Sequence, residues 1–192
     1  RRQRQMCIRD SAGDIFITDA TQRVTRQNGR VPADVVEASA RLPGVRAVET
    51  LRAVELPLGE RSILMTGWEL TVEDSKRRFE FLAGDAEHAI ARLEDGACII
   101  SEPLATRHAL RPGDELALPG MRGEARLPIV GIFRDFSYDR GYAVTSSEHF
   151  VQTFGDFGVR NLVLFLDDSS RVEGLADELR RRFAGRYMVQ IE

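Results

Sequence analysis

Residues 97–154 read ACIISEPLATRHALRPGDELALPGMRGEARLPIVGIFRDFSYDRGYAVTSSEHFVQTF, and this stretch decides the fold. Ala97 to Ile100 is a short apolar strand that runs into Ser101-Glu102-Pro103. Ser101 can cap a helix, Glu102 suits its first turn, and Pro103 is tolerated there because the first N–H groups lack helical partners. Leu104 and Leu110 bracket the short helix. Arg111-Pro112-Gly113-Asp114 suits a type II turn, with Pro second and Gly where φ is positive. Leu116 and Leu118 then alternate with polar or small neighbours, as in a half-buried strand. After a glycine-punctuated loop, Ile129 to Phe133 is a continuous apolar run and so a more buried strand. A third strand lies at Gly141 to Val144, and Thr145 with Glu148 fits a capping box for a helix through Phe154.

Outward from this stretch the two flanks resemble each other. The first has a strand at residues 14–18, a polar loop through Asn28-Gly29, and a helix from Pro32 to Leu42 with Val35, Ala38 and Leu42 on one face. Pro43-Gly44 stops that helix. A strand from Val45 to Leu58 turns at Gly59-Glu60 into a second strand from Ser62 to Leu70. The last flank has a strand at residues 162–166, a capping box at Ser170 and Glu173, and a helix with Val172, Leu175, Leu179 and Phe183 at helical spacing. Gly185 ends it, and Tyr187 to Ile191 is the last strand. The spacing predicts an α+β fold. A strand–helix–strand lobe is built from both chain ends, residues 12–79 with 156–192, and a β-rich second lobe, residues 80–155, is inserted into it. Residues 1–11 lack periodicity, resemble a translated sequencing-adapter read, and are expected to be non-native or disordered.

The order of these pieces resembles the extracytoplasmic domain of the MacB/FtsX-type ABC transporter permeases, the group that includes LolC and LolE. The carrying residues are the strand ending Ser101-Glu102, Leu104-Ala105 in the helix, Gly113-Asp114 before a strand, Val130-Gly131-Ile132 with Asp135 after it, and Gly141 before the next strand. The resemblance implies a lobe like the porter subdomains of efflux pumps, interrupted by a more variable lobe. It also implies a non-catalytic domain on the periplasmic side of the inner membrane. Such domains transmit ATP-driven conformational change, in efflux or in lipoprotein or lipid extraction. The implied partners are transmembrane helices of the same parent chain, an ABC ATPase, a second permease copy, and a periplasmic partner or amphiphilic substrate. The alternative is a stand-alone periplasmic binding or scaffolding module.

Composition agrees with a folded domain. The chain has 192 residues, 43% hydrophobic and 30% charged, with a net charge of −3. No basic patch stands out, so nucleic acid is not an expected partner. Lys76 is the lone lysine among 27 basic residues, which reads as a coding bias toward arginine. No apolar run approaches the ~20 residues that span a bilayer. Cys7 and Cys98 exclude a disulfide scaffold, and Cys98 reads as a small core residue.

The chemical signals are local. His88, His108 and His149 are scattered and lack second ligands at metal spacing, so no metal or cofactor is expected. Asp167-Asp168 complements a helix dipole. Ser146, Ser147 and His149 with Asp135 or Asp139 invite a hydrolase reading, but G-x-S-x-G is missing, and Ser146 and Ser147 suit a helix cap. Walker A and G-x-G-x-x-G motifs are missing too, so any ATP hydrolysis belongs elsewhere. No catalytic residue is assigned. The candidate contact residues are Arg134, Asp135, Phe136, Tyr138 and Arg140, in a polar, aromatic loop between two strands. One reading is an ordered connection whose Arg and Asp pair locally. The other is a surface for a partner or substrate, where exposed aromatic and Arg side chains are common anchors. Trp68, in Met65-Thr66-Gly67-Trp68, reads as core.

Overall fold

The apolar strands of both flanks and of the insertion line up in one mixed sheet. The computed structural model describes residues 14–19, 30–73, 79–135 and 138–191. The predicted loop through Asn28-Gly29, Cys7, Lys76 and residues 1–11 lie outside the described residues. The strands are β1 (Ile15–Asp19), β2 (Val45–Leu58), β3 (Arg61–Trp68), β4 (Phe81–Ala83), β5 (Cys98–Ser101), β6 (Glu115–Gly120), β7 (Gly123–Phe133), β8 (Tyr142–Ser146), β9 (Asn161–Leu166) and β10 (Tyr187–Ile191). The helices are α1 (Ala33–Ala40), α2 (Ala86–Arg92), α3 (Glu102–His108), α4 (Ser147–Phe154) and α5 (Val172–Phe183). The strand order is β10-β1-β9-β2-β3-β8-β5-β7-β4, with β6 folded onto β7 as a hairpin. The pairings are antiparallel except β3 with β8 and β5 with β7.

Four buried clusters among the described residues follow from this order, the smallest being Val72, Val163 and Phe165 with Phe16 and Ala47 packed against them. The first joins β1, β9 and β10 to α1 and α5; Val172, Leu175, Ala176 and Leu179 form the inward stripe of α5. Arg180 fastens α5 to the edge strand by donating from Nε and Nη2 to the Val189 carbonyl at 3.2 and 3.1 Å. The second cluster lies between β3, the β6–β7 hairpin, α3 and α4, with Phe150 and Leu104 fully buried. Ile63 and Met65 of β3 bury their side chains here, with Val54, Leu56 and Leu58 of β2 packed against them. The third holds an edge-to-face aromatic series, with Trp68–Phe79, Phe79–Phe133 and Phe133–Tyr142 centroids at 5.8, 4.9 and 5.2 Å. Trp68 is core, as its apolar neighbours predict.

β2 is the strand that links these clusters. Its first half pairs with β9, ending at Leu51–Asn161, and its second half pairs with β3, beginning at Leu51–Trp68. Both ends of the described fold meet at one edge, because Ile15 pairs with Ile191.

The helix starts differ from the sequence reading in instructive ways. Ser101 stands at the N-cap of α3, but its hydroxyl accepts the Tyr142 backbone N–H at 3.0 Å and serves the sheet. Thr145 donates its hydroxyl to the Ala97 carbonyl at 2.8 Å, and Ser146 caps α4 by accepting the His149 N–H at 3.2 Å. The cap falls one residue later because Thr145 is still a strand residue facing the core. Ser170 does not open α5. Asp168 accepts the Ser170 N–H at 2.9 Å, a 3-10 turn (Ser169–Arg171) follows, and α5 begins at Val172. α1 is shorter than predicted, and Ser39 is its buried residue. β3 ends at Trp68, before Leu70.

Candidate functional site: the loop after β7

Strand β7 ends with Phe133 buried, and β8 begins with Tyr142 half-buried and Ala143 fully buried, so the loop between them springs from two fixed points. Arg134 extends the ladder, donating its backbone N–H to Glu80 O at 2.8 Å, and its guanidinium meets the Glu80 carboxylate at 2.5 Å. Asp135 accepts the Tyr142 hydroxyl at 2.7 Å. Phe136 and Ser137 lie outside the described residues. Tyr138 donates its hydroxyl to Glu55 at 2.7 Å. Partial burial and this neighbouring carboxylate raise the Tyr138 pKa above its ordinary value. Arg140 donates to Ser62 Oγ at 2.9 Å and lies 3.8 Å from Glu55. Asp139 gives its backbone carbonyl to Arg107 of α3 at 2.7 Å.

The loop is therefore tied outward, to β2, β3, α3 and the segment before β4. Asp135 takes a hydroxyl from β8, and Arg140 reaches the β2–β3 hairpin. Gly141 closes the loop at φ +81, and a Cβ there would stand 2.6 Å from the backbone nitrogen of Leu104. The close approach to α3 requires glycine.

A groove of about 320 Å³ lies beside the loop, lined by Leu58, Gly59, Glu60, Arg61, Arg107 and His108. A second, of about 290 Å³, lies against α3 and includes Glu102, Thr106, Arg111 and Ile132. Both linings carry charges of both signs.

The hydrolase constellation does not assemble. The Ser146 hydroxyl is occupied by the helix cap, and Ser147 Oγ accepts from Arg52 at 2.7 Å. His149 Nε2 lies 3.2 Å from Thr153 Oγ1, and burial lowers its pKa. Its ring packs over Gly96, where a Cβ would come within 2.7 Å. His88 is exposed and pairs with Asp85 at 2.8 Å; that carboxylate raises the His88 pKa, while its contacts with His88 lower the pKa of Asp85. Cys98 is fully buried, and desolvation pushes its thiol pKa up. Among the described residues no group of three or more His, Cys, Asp or Glu could hold a metal ion. No helix among them is long and apolar enough to cross a membrane.

The sequence reading missed Glu49 and Arg52. Glu49 is fully buried, and its carboxylate accepts the backbone N–H groups of Thr71 and Val72 at 2.7 and 2.8 Å. An acid between Val48 and Thr50 in the middle of a strand was the available signal.

No protein-family model matches the chain. It is 26% identical over 183 residues to an uncharacterized ABC transporter permease protein of Mycobacterium tuberculosis, covering 93% of this chain and 21% of the relative. The chain thus spans about a fifth of the length of that curated relative. The periplasmic region of MacB from Actinobacillus actinomycetemcomitans superposes with a TM-score of 0.59 at 11% identity, over 97% of this chain and 92% of that one. The extracellular domain of the noncanonic ABC-type transporter YknZ from Gram-positive bacteria gives a TM-score of 0.58 at 14% identity, over 93% and 98%. At these identities the structural likeness is one of fold. The chain has the α+β fold of the MacB/FtsX-type periplasmic domain, and over nearly its whole length it is related in sequence to an ABC transporter permease.

Proposed function

We propose that the chain is a non-catalytic extracytoplasmic domain of an ABC transporter permease that transmits ATP-driven motion to a substrate or partner. The observation that carries this reading is the sequence relation to a permease over 93% of the chain. The Ile15–Ile191 pairing supports it, because both ends of the fold leave from one edge and can continue into adjacent membrane helices of one parent chain. The ATP would be hydrolysed by a separate ABC ATPase. The cargo would be an amphiphile or a lipoprotein, with a second permease copy and a periplasmic protein as further partners.

In this reading the fold works as two bodies that exchange between arrangements. One surrounds the first buried cluster and is built from both chain ends. The other is the inserted lobe, 80–155, together with the β2–β3 hairpin beyond Leu51, whose buried Ile63 and Met65 lie in the second cluster and Trp68 in the third. The loop bearing Arg134, Asp135, Tyr138 and Arg140, with Phe136, is the proposed contact surface.

The test is a distance measurement in the full-length permease assembled with its ATPase. Spin labels at Gly174→Cys on α5 and Arg122→Cys at the β6–β7 turn report on the two bodies; a side chain at 174 meets open space. The expected result is a distance distribution that shifts with ATP. A distribution indifferent to nucleotide defeats the reading.

A further inference from the structure

At the middle of β2 the strand changes neighbours, and four consecutive residues there hold both connections between the bodies. On the outgoing side Glu49 accepts the Thr71 and Val72 N–H groups, and Thr50 donates its N–H and hydroxyl to Glu69 at 3.2 and 2.6 Å. On the return side the Leu51 carbonyl accepts the Arg160 N–H at 2.7 Å. Arg52 then gathers three elements at once. Its Nη1 donates to Ser147 Oγ of α4 at 2.7 Å and to Thr50 Oγ1 at 3.1 Å, and its Nε donates to Asp156 at 3.4 Å. Asp156 is fixed in turn by the Gly158 N–H at 2.8 Å, a contact that, with the Arg52 charge, holds its carboxyl below the usual range. The Arg52 side chain is 19% exposed and Ser147 is 7% exposed, so the bond between them is largely shielded from competing water, whereas the Asp156 carboxylate is 64% exposed.

We propose that β2 is the hinge between the two bodies, with its pivot at Leu51–Arg52, and that Arg52 is the lock that fixes its angle. Thr50 lies on the side of β9, Ser147 belongs to the inserted lobe, and Asp156 belongs to the return connection. Arg52 and Ser147 move together with the second body, so rotation about the pivot draws their shared guanidinium contact away from Thr50 and Asp156. The fork geometry makes arginine the residue for this role, because a lysine ammonium would serve these partners only from a single point. The hinge rests on the two-body reading above.

The test uses this chain with Cys7→Ser and spin labels at Gly174→Cys and Arg122→Cys; the buried Cys98 thiol stays unlabelled. One dominant distance is expected. Arg52→Met should raise a second distance roughly tenfold in population, the effect of losing one charge-assisted hydrogen bond. Arg52→Lys should fall between the two. A folded Arg52→Met chain that keeps the single distribution overturns the lock. Should Arg52→Met fail to fold, the paired changes Ser147→Ala and Asp156→Asn remove the same contacts. They must then show the second distance, and an unchanged distribution is equally fatal. The nucleotide-driven shift in the full-length permease judges the functional reading, and the distribution of this chain judges the lock, so either can fail alone.

Discussion

Gly67 shows how sharply one position can be specified. A Cβ there would stand 2.4 Å from Phe150 Cβ and 2.6 Å from Cγ, in the centre of the second buried cluster. Nothing in its backbone demands glycine, so the requirement is steric. Gly67→Ala should cost ~1–3 kcal/mol by overpacking. Phe150→Leu added to it should cost less than the sum of the two single changes, which a double-mutant cycle of urea midpoints will reveal. The histidines give a second residue-level prediction, in opposite directions. The folded-state pKa of His149 is depressed, so the unfolded chain takes up its proton first, and stability falls as pH drops below about 6.5. His88 is raised by Asp85; its contribution is full below the unfolded value and fades as pH rises through the folded one. Melting temperatures between about pH 5 and 7.5 should fall less steeply toward acid in His149→Gln than in the parent chain, and more steeply in His88→Gln. Parallel slopes in all three would contradict both assignments.

Among elements, the helix ends carry an avoidable cost. α3 and α5 each close on an alanine in the left-handed region, Ala109 at φ 54 and Ala184 at φ 46. Glycine is the usual residue there, and the sequence supplies one only at Gly185, one position late. Ala109→Gly and Ala184→Gly should therefore each stabilise the fold by ~0.5–1 kcal/mol, measured by thermal or urea unfolding. Elements are also the scale at which sequence reading succeeds and fails. β2 and β10 were legible residue for residue because their apolar runs end at unmistakable turns. Caps slipped by one residue where hydroxyl side chains stand in a row, since Thr145, Ser146 and Ser147 are locally equivalent and only the sheet decides which is the cap. The loop after β7 was legible as a polar, aromatic connection. Its partners were not, because Tyr138 reaches 83 residues back to Glu55 and Arg140 reaches 78 back to Ser62. Glu49 was missed for the same reason, as its carboxylate is satisfied by backbone 22 and 23 residues ahead.

For the whole molecule, a continuous sheet means that the two proposed bodies share strands even where they do not share cores. β2 pairs with β9 through one half and with β3 through the other, and β3 pairs with β8 of the insertion. Melting one core strips partners from the other, so a single cooperative transition is expected. Urea unfolding followed by Trp68 fluorescence, which reports the third cluster, should coincide with unfolding followed by backbone circular dichroism. Two separated midpoints would mean that the strands fail to couple the bodies. The placement of the ends at Ile15 and Ile191 has a mechanical corollary. Antiparallel neighbours gripped at the same end are pulled apart like a zipper, one ladder bond at a time, whereas strands gripped at opposite ends resist as a group. Tension that separates the two ends should peel β10 from β1 at low force and release α5 with it. Push or pull applied to both ends together strains none of those bonds and passes along β1 and β10 into the strands beside them. The same edge is thus soft to being spread and stiff to being driven.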